Sequence, residues 1–292
     1  MSDRPSPRAS AIVLTGLMHL LPHHLLGRLA HWITRCEWPP VKDWLIRKAV
    51  ARFHVDMAQA AESNPAAYTS FNAFFTRELR PGARPVCEGA GAICCPSDGE
   101  ISQIGSISDG MLVQAKAWDY SLRDLLGGDS QLAAEFAEGS YATIYLSPRD
   151  YHRVHMPLAG TLRRMVHVPG RLFSVNQTTT EALPRLFARN ERVVSVFDTG
   201  QGPMAVILVG AFFVGSMDTV WAGTVAPAHR RATVWDYAGR AEVRLERGAE
   251  LGRFNMGSTV IVLLGSDRVQ WAESAVPGTP VRMGEALGTL AD

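Results

Sequence analysis

The chain carries almost no excess of either charge. Its 29 Lys and Arg residues stand against 28 Asp and Glu, a formal net charge of +1. A nucleic-acid binder held by bulk electrostatics usually needs a clear basic excess, so that class is set aside. Cysteine is scarce too. Cys36, Cys87, Cys94 and Cys95 show no Cys-x-x-Cys spacing and no regular framework. Adjacent Cys94 and Cys95 would point to opposite faces of a strand, which disfavours a mutual disulfide or a shared metal. Reduced, partly buried thiols in a cytosolic protein are therefore expected. Internal repeats, low-complexity tracts and a small-residue signal-peptide cleavage site are all missing. So is a clean spanning helix: residues 11–32 are apolar, but His19, Pro22, His23 and His24 interrupt them, which points to a peripheral segment rather than a transmembrane one.

What is present is an ordinary supply of core. With 292 residues, 47% of them hydrophobic and 20% charged, the chain can bury one large domain or two modest ones. Residues 1–62 read as helical. Leu14, Leu17, Met18 and Leu21, then Leu25, Leu29, Trp32 and Ile33, fall at helical spacing. Pro39-Pro40 breaks the pattern, and a second amphipathic stretch covers 41–58. Arg28, Arg35, Lys42, Arg47, Lys48 and Arg52 spread positive charge through this part. Such a segment suits the headgroup region of an anionic membrane, or else a helical cap packed on its own chain.

Beyond 62 the texture changes to short β-rich runs between Gly, Pro and Asp turns: residues 101–107, 141–146, 193–197, 204–214, 219–225 and 258–264. Helical signals shrink to 121–126 and 131–136. The expected class is α+β, with N-terminal membrane-associating helices followed by a mainly antiparallel, barrel-like catalytic domain over 63–292. Residues 169–191 lack clear periodicity and read as a long functional loop.

Three stretches carry groups that can do chemistry. In Phe254-Asn255-Met256-Gly257-Ser258-Thr259, a glycine and then a serine stand at the entrance to an apolar run. The serine hydroxyl could turn back onto the glycine carbonyl, an N-to-O acyl shift, if strain and a base assist; taken alone, Gly-Ser-Thr is also a common turn. Pro96-Ser97-Asp98-Gly99-Glu100 places a carboxylate in a turn, and Asp-Gly is equally a hairpin signal. The third stretch runs from Pro148 to Pro157 and contains His152 and His155. A neutral imidazole accepts and returns protons near pH 7. No third ligand motif accompanies the two histidines, and no metal is expected.

Further short blocks complete a set. Phe71-Asn72-x-Phe74-Phe75-x-Arg77, Pro96-Ser97-Asp98-Gly99, Tyr151-His152-Arg153-x-His155-Met156-Pro157, Leu172-Phe173-Ser174-Val175-Asn176, Phe187-Ala188-Arg189-Asn190-Glu191-Arg192 and Gly257-Ser258-Thr259 occur in that order. From about Phe71 onward the chain resembles the bacterial phosphatidylserine decarboxylase family; Met256, where leucine is common, is a mild apolar departure. The resemblance implies a proenzyme that cuts itself between Gly257 and Ser258. Asp98 would orient His155, and His155 would take the Ser258 proton. Ser258 would become a covalent pyruvoyl cofactor heading an α chain of 35 residues, 258–292, paired with a β chain of 1–257. The pyruvoyl would then form a Schiff base with phosphatidylserine, lose carbon dioxide and yield phosphatidylethanolamine, with His152 as proton donor. Phe173, Ser174 and Asn176 would border the headgroup.

A lipid substrate turns the N-terminal segment into a peripheral anchor at the cytoplasmic face of the cell membrane. The resemblance also allows a homodimer of the αβ heterodimers, to which composition adds nothing. Three rivals stand beside this reading: a serine hydrolase built on Asp98, His155 and Ser258, a lipid binder that never matures, and a pyruvoyl enzyme for a soluble amino acid. The first lacks a Gly-x-Ser-x-Gly elbow.

Overall fold

The computed structural model describes residues 23–115, 118–211, 216–225, 231–239, 241–256, 259–265 and 268–291. Its centre is a nine-stranded antiparallel sheet. Along the sheet run Thr233–Asp236, Gly160–Val168, Arg192–Thr199, Gly202–Val209, Thr259–Leu264, Ser140–Tyr145, Gly99–Ser106 and Pro280–Val281, with Arg244–Leu245 pairing onto Gly160–Val168. Among the described residues the path is open at both ends, so of the expected antiparallel sheet or barrel-like form it is the sheet that is found, with no closed barrel. The class is α+β with mainly antiparallel sheets.

The strand Thr259–Leu264 explains why the sheet is stable at its middle. All six residues are buried, and it pairs with Gly202–Val209 on one side and Ser140–Tyr145 on the other. Side chains alternate across a strand. Ile261 and Leu263 accordingly enter one apolar cluster, and Val260, Val262 and Leu264 the other. A strand buried on both faces reads as a continuous β-branched and leucine run, as this one does. Each such side chain contributes roughly 1.5–3 kcal/mol on burial.

Two smaller sheets surround the first. One contains Gly223–Val225, Met217–Thr219, Glu250–Phe254 and Arg153–His155; the other contains Ala92–Cys94, Ala286–Leu290 and Val269–Trp271. The residues after 258 therefore thread all but the four-stranded sheet and the Met111–Ala115/Trp118–Ser121 hairpin. A backbone cut before Thr259 would leave them woven in place.

Several boundaries differ from expectation for local reasons. Pro39 and Pro40 do not merely interrupt: they open the helix Pro39–Phe53 at its first turn, where proline has no hydrogen bond to lose. That helix stops at His54 in the left-handed conformation, φ 54°, short of residue 58. Residues 219–225 form a hairpin of two strands rather than one run. The stretch 169–191 holds two short helices, Gln177–Ala182 and Leu186–Arg189. Cys87 and Cys94 are disulfide-bonded, with Cα atoms 6.1 Å apart, which corrects the expectation of four reduced thiols.

Among the described residues the helices His23–Thr34 and Pro39–Phe53 lead into the chain. Ile46 and Ala49 of the second pack against Phe71, Phe74 and Phe75, so the helical part shares a core with the region that begins at Phe71. Leu25, Leu29, Trp32, Trp38 and Trp44 stay exposed, Trp32 at 71%. Among the described residues no helix is long and apolar enough to cross a membrane.

Candidate active site

The site is built where the strand Glu250–Phe254 ends and Thr259–Leu264 begins. Gly257 and Ser258, the expected cut site, lie outside the described residues. Their neighbours are held firmly. Asn255 is buried, and its Nδ2 donates to Ser216 Oγ at 2.9 Å and to Asp218 Oδ1 at 2.8 Å. Its Oδ1 accepts from Asn72 Nδ2 at 3.0 Å, tying the segment to the short helix Phe71–Phe75. Next in the chain, Met256 has φ +104°. A non-glycine residue there is strained, by an order of 1–3 kcal/mol, and strain of this kind persists only where the surroundings enforce it. The Asn255 clamp supplies that enforcement.

His152 is completely buried and its ring lies 4.0 Å from that of Phe75, centroid to centroid. Phe254 N–H donates to the His152 carbonyl at 3.1 Å, which ties this histidine to the end of the strand Glu250–Phe254. Its Nδ1 lies 2.8 Å from the Asp150 carbonyl. A carbonyl only accepts, so Nδ1 carries the proton and the lone pair is on Nε2. That Nε2 is buried without a hydrogen-bond partner. Burial pushes the ring's pKa down to about 3, with the Asp150 carbonyl pulling the other way and the Arg77 cation adding to the depression. His152 is thus a neutral ring with an unclaimed acceptor nitrogen.

His155 differs. Its Nδ1 faces the Gly248 carbonyl at 2.9 Å, and its Nε2 faces the Tyr151 hydroxyl at 3.0 Å. Desolvation is the first cause of its lowered pKa; Gly248, Glu250 and Asp98 raise it and Arg153 lowers it. The expected contact between Asp98 and His155 is not made. Asp98 instead accepts from Arg84, Nε to Oδ1 at 2.8 Å with Nη2 on the other oxygen, and from the Met283 N–H at 2.9 Å. A two-pronged guanidinium pair is stronger than one bond to a neutral imidazole, and it wins here. Asp98 reaches His155 through its field alone. Gly99, beside it, is required because a Cβ would collide with the Tyr145 carbonyl.

This Asp98–Arg84 pair predicts a stability effect. Both side chains are about nine-tenths buried, at 9% and 10% exposure. Removing one partner strands the other charge, at a cost of about 3–5 kcal/mol. Arg84→Met should therefore lower the urea midpoint by the equivalent of that loss. A change under about 1 kcal/mol would mean the pair is screened like a surface bridge.

The residues expected to border a headgroup separate. The Phe173 ring is fully buried in the core, and its backbone is clamped by Asn190 through Phe173 N–H to Oδ1 at 3.1 Å and Nδ2 to Phe173 O at 2.9 Å. Asn176 is exposed and caps the helix Gln177–Ala182 through Thr179 N–H at 3.0 Å. Ser174 is half-buried. Arg84 carried no readable signal in the sequence, and Asn255 stood in the stretch before Gly257 without a role. Asn72, Phe75, Arg77 and Tyr151 stood inside recognised blocks, without a role.

Residues 71–289 match the family described as phosphatidylserine decarboxylase. The chain belongs to that family. Residues 14–54 match a second family, described as PSD. A phosphatidylserine decarboxylase proenzyme of Pseudomonas entomophila is 58% identical over 275 residues, 94% of this chain and 96% of its own. Proenzymes of the same name from Bordetella pertussis and Azotobacter vinelandii are each 57% identical. They cover 92% of this chain, and 91% and 95% of their own lengths. Membership in a decarboxylase family counts against the serine-hydrolase rival. The family match also spans Met256 and its neighbours.

Proposed function

We propose that the chain is a self-processing decarboxylase of phosphatidylserine, cut between Gly257 and Ser258 so that Ser258 becomes a pyruvoyl group. The observation that carries this reading is the placement of the cut site between the clamped, strained Asn255-Met256 and the central strand that starts at Thr259. Strain loads the bond to be broken, while the strand keeps the small chain docked afterwards. The αβ heterodimer follows from that docking.

What supports such a group is a buried acceptor nitrogen without a partner on His152, whose carbonyl accepts from Phe254, and a buried hydroxyl without a partner on Thr259, the next residue in sequence. When formed, the pyruvoyl supplies the electron sink that lets carbon dioxide leave. The protein's own residues manage protons and position. His155, with its Nδ1 fixed on Gly248, has the basic Nε2 needed to take the Ser258 proton, once Tyr151 yields that nitrogen or passes the proton on. Asp98, itself held by Arg84, accepts from the Met283 amide and steadies the α chain beside it. The substrate amine arrives as an ammonium and must lose a proton before it can attack a carbonyl. His152 Nε2 takes that proton, and the same nitrogen returns it to the substrate α-carbon after carbon dioxide departs.

Membrane contact is part of the proposal. Leu25, Leu29 and Trp32 fall at i, i+4 and i+7 on one helix and are exposed at 64%, 53% and 71%, a face suited to interfacial insertion. Arg28, Arg47, Lys48 and Arg52 add attraction to anionic lipid. The cytoplasmic face is proposed from the family resemblance, because the Cys87–Cys94 bond removes the reduced-thiol argument. Activity on phosphatidylserine vesicles should fall by about 10- to 100-fold in Leu29→Glu/Trp32→Glu, from the lost burial of two large side chains. Activity on short-chain, detergent-dispersed phosphatidylserine should hold. Equal loss on both substrates, or none on vesicles, would remove the anchor. Failure of the wild-type protein to form phosphatidylethanolamine from either would remove the function itself.

A further inference from the structure

Among the described residues, four arginines are wholly or largely enclosed, and three of them are fully explained by their partners. Arg192, 2% exposed, gives its N–H groups to the carbonyls of Leu125, Ala188, Asn190 and Asp124. Arg153 joins Glu78, Glu250 and the Thr76 carbonyl, and Arg84 joins Asp98. Arg77 is the exception. It is 5% exposed, its Nη2 donates to the Arg149 carbonyl at 3.2 Å, and its guanidinium stands 5.4 Å from the centre of the Phe74 ring. Its Nε and Nη1 are buried with no hydrogen-bond partner, and none of the ion pairs among the described residues includes it. A buried cation left unpaired is costly. A fold keeps one where an anion comes and goes.

The neighbourhood says which reaction that anion serves. Phe74 and Phe75 adjoin in the short helix Phe71–Phe75; Phe74 carries Arg77 on its face, and the Phe75 ring lies tilted against that of His152. The field of Arg77 reaches His152, whose Nε2 is itself unclaimed. Met256, two residues before Ser258, packs against the same cluster of Phe71, Phe74 and Phe75. Two unpartnered groups, a donor fork and an acceptor nitrogen, thus stand beside neighbouring rings of one aromatic cluster.

We propose that Arg77 binds the phosphodiester of the lipid substrate through Nε and Nη1, an assignment that rests on the phosphatidylserine reading above. A guanidinium fork matches two phosphate oxygens. In the headgroup the phosphorus is only three bonds from the serine α-carbon, so a residue beside His152 reaches it while His152 serves that carbon. The substrate carboxylate is the poorer partner, because its charge is lost as carbon dioxide leaves. A cation on it would stabilise the ground state more than the transition state, whereas the phosphate keeps its charge throughout.

The test compares wild type, Arg77→Met and Arg77→Lys on two short-chain, detergent-dispersed substrates: phosphatidylserine and its methylphosphonate analogue, which lacks the negative charge on phosphorus. Wild type should prefer the charged substrate in kcat/KM by about 10- to 100-fold, the usual range for hydrogen bonds to a charged group. Arg77→Met should erase that preference by losing activity on the charged substrate alone, and Arg77→Lys should retain part of it. Loss of equal size on both substrates, or a preference unchanged from wild type, would overturn the assignment and leave Arg77 a purely structural cation. If Arg77→Met yields no cleaved chains, Arg77→Lys decides by the same ratio, and a full wild-type preference there overturns the proposal. A wild-type protein inactive on phosphatidylserine would instead count against the decarboxylase reading on which the assignment depends.

Discussion

His152→Ala is expected to cut itself normally and then to decarboxylate phosphatidylserine about 10²- to 10⁴-fold more slowly than wild type, the usual contribution of a positioned acid–base group. The size follows from where the ring stands. It has no contact with solvent, its Nδ1 proton is committed to the Asp150 carbonyl, and its Nε2 has no partner. Water cannot easily replace a base in a site that excludes it. Burial holds the ring neutral down to a pKa of about 3, so at pH 5 to 8 it begins each cycle unprotonated, and a proton taken from the substrate is readily given up again. The sign matters: a ring with a raised pKa would begin protonated and could not free the substrate amine. The loss should therefore be in kcat and stay level across pH 5 to 8. Single-turnover assays on cleaved protein would check it. An intact, uncleaved His152→Ala chain would move this residue from the decarboxylation to the cut.

Ser258→Ala has the larger effect, a complete one. Alanine offers no hydroxyl to attack the Gly257 carbonyl, so neither cut chain nor cofactor can form. The fold itself should survive, because the strand Thr259–Leu264 is held by its own six buried residues and by pairing on both sides. The same substitution thus separates chemistry from folding.

How much of this was readable in the sequence depends on the range of the interactions involved. Residues 259–264 announce a buried strand because both faces are apolar, and the alternation between two clusters only distributes what the run already contains. The helix opening at Pro39 was legible in kind but misplaced by two residues, since proline both breaks one helix and starts the next. Residues 169–191 hid their short helices because capping by Asn176 and the clamp by Asn190 replace a long apolar stripe. The Cys87–Cys94 bond depends on a turn, not on a spacing pattern. The cut residues and both histidines stood out as a set with Asp98. Their partners did not. Arg84 lies 14 residues before Asp98 among many other arginines, and only the tertiary fold shows that it, rather than His155, takes the carboxylate. Likewise the difference between His152 and His155 is invisible in His-x-x-His. It arises because Phe75 and Asp150 enclose one ring while Tyr151 and Gly248 occupy both nitrogens of the other.

The central claim is covalent, and the intact mass of the purified protein beside Ser258→Ala tests it most directly. Wild type should give two chains divided after Gly257, the 35-residue one blocked at its N-terminus by a carbonyl, while folded Ser258→Ala gives one uncut chain. A folded wild-type protein that remains a single chain of 31.8 kDa would contradict the account.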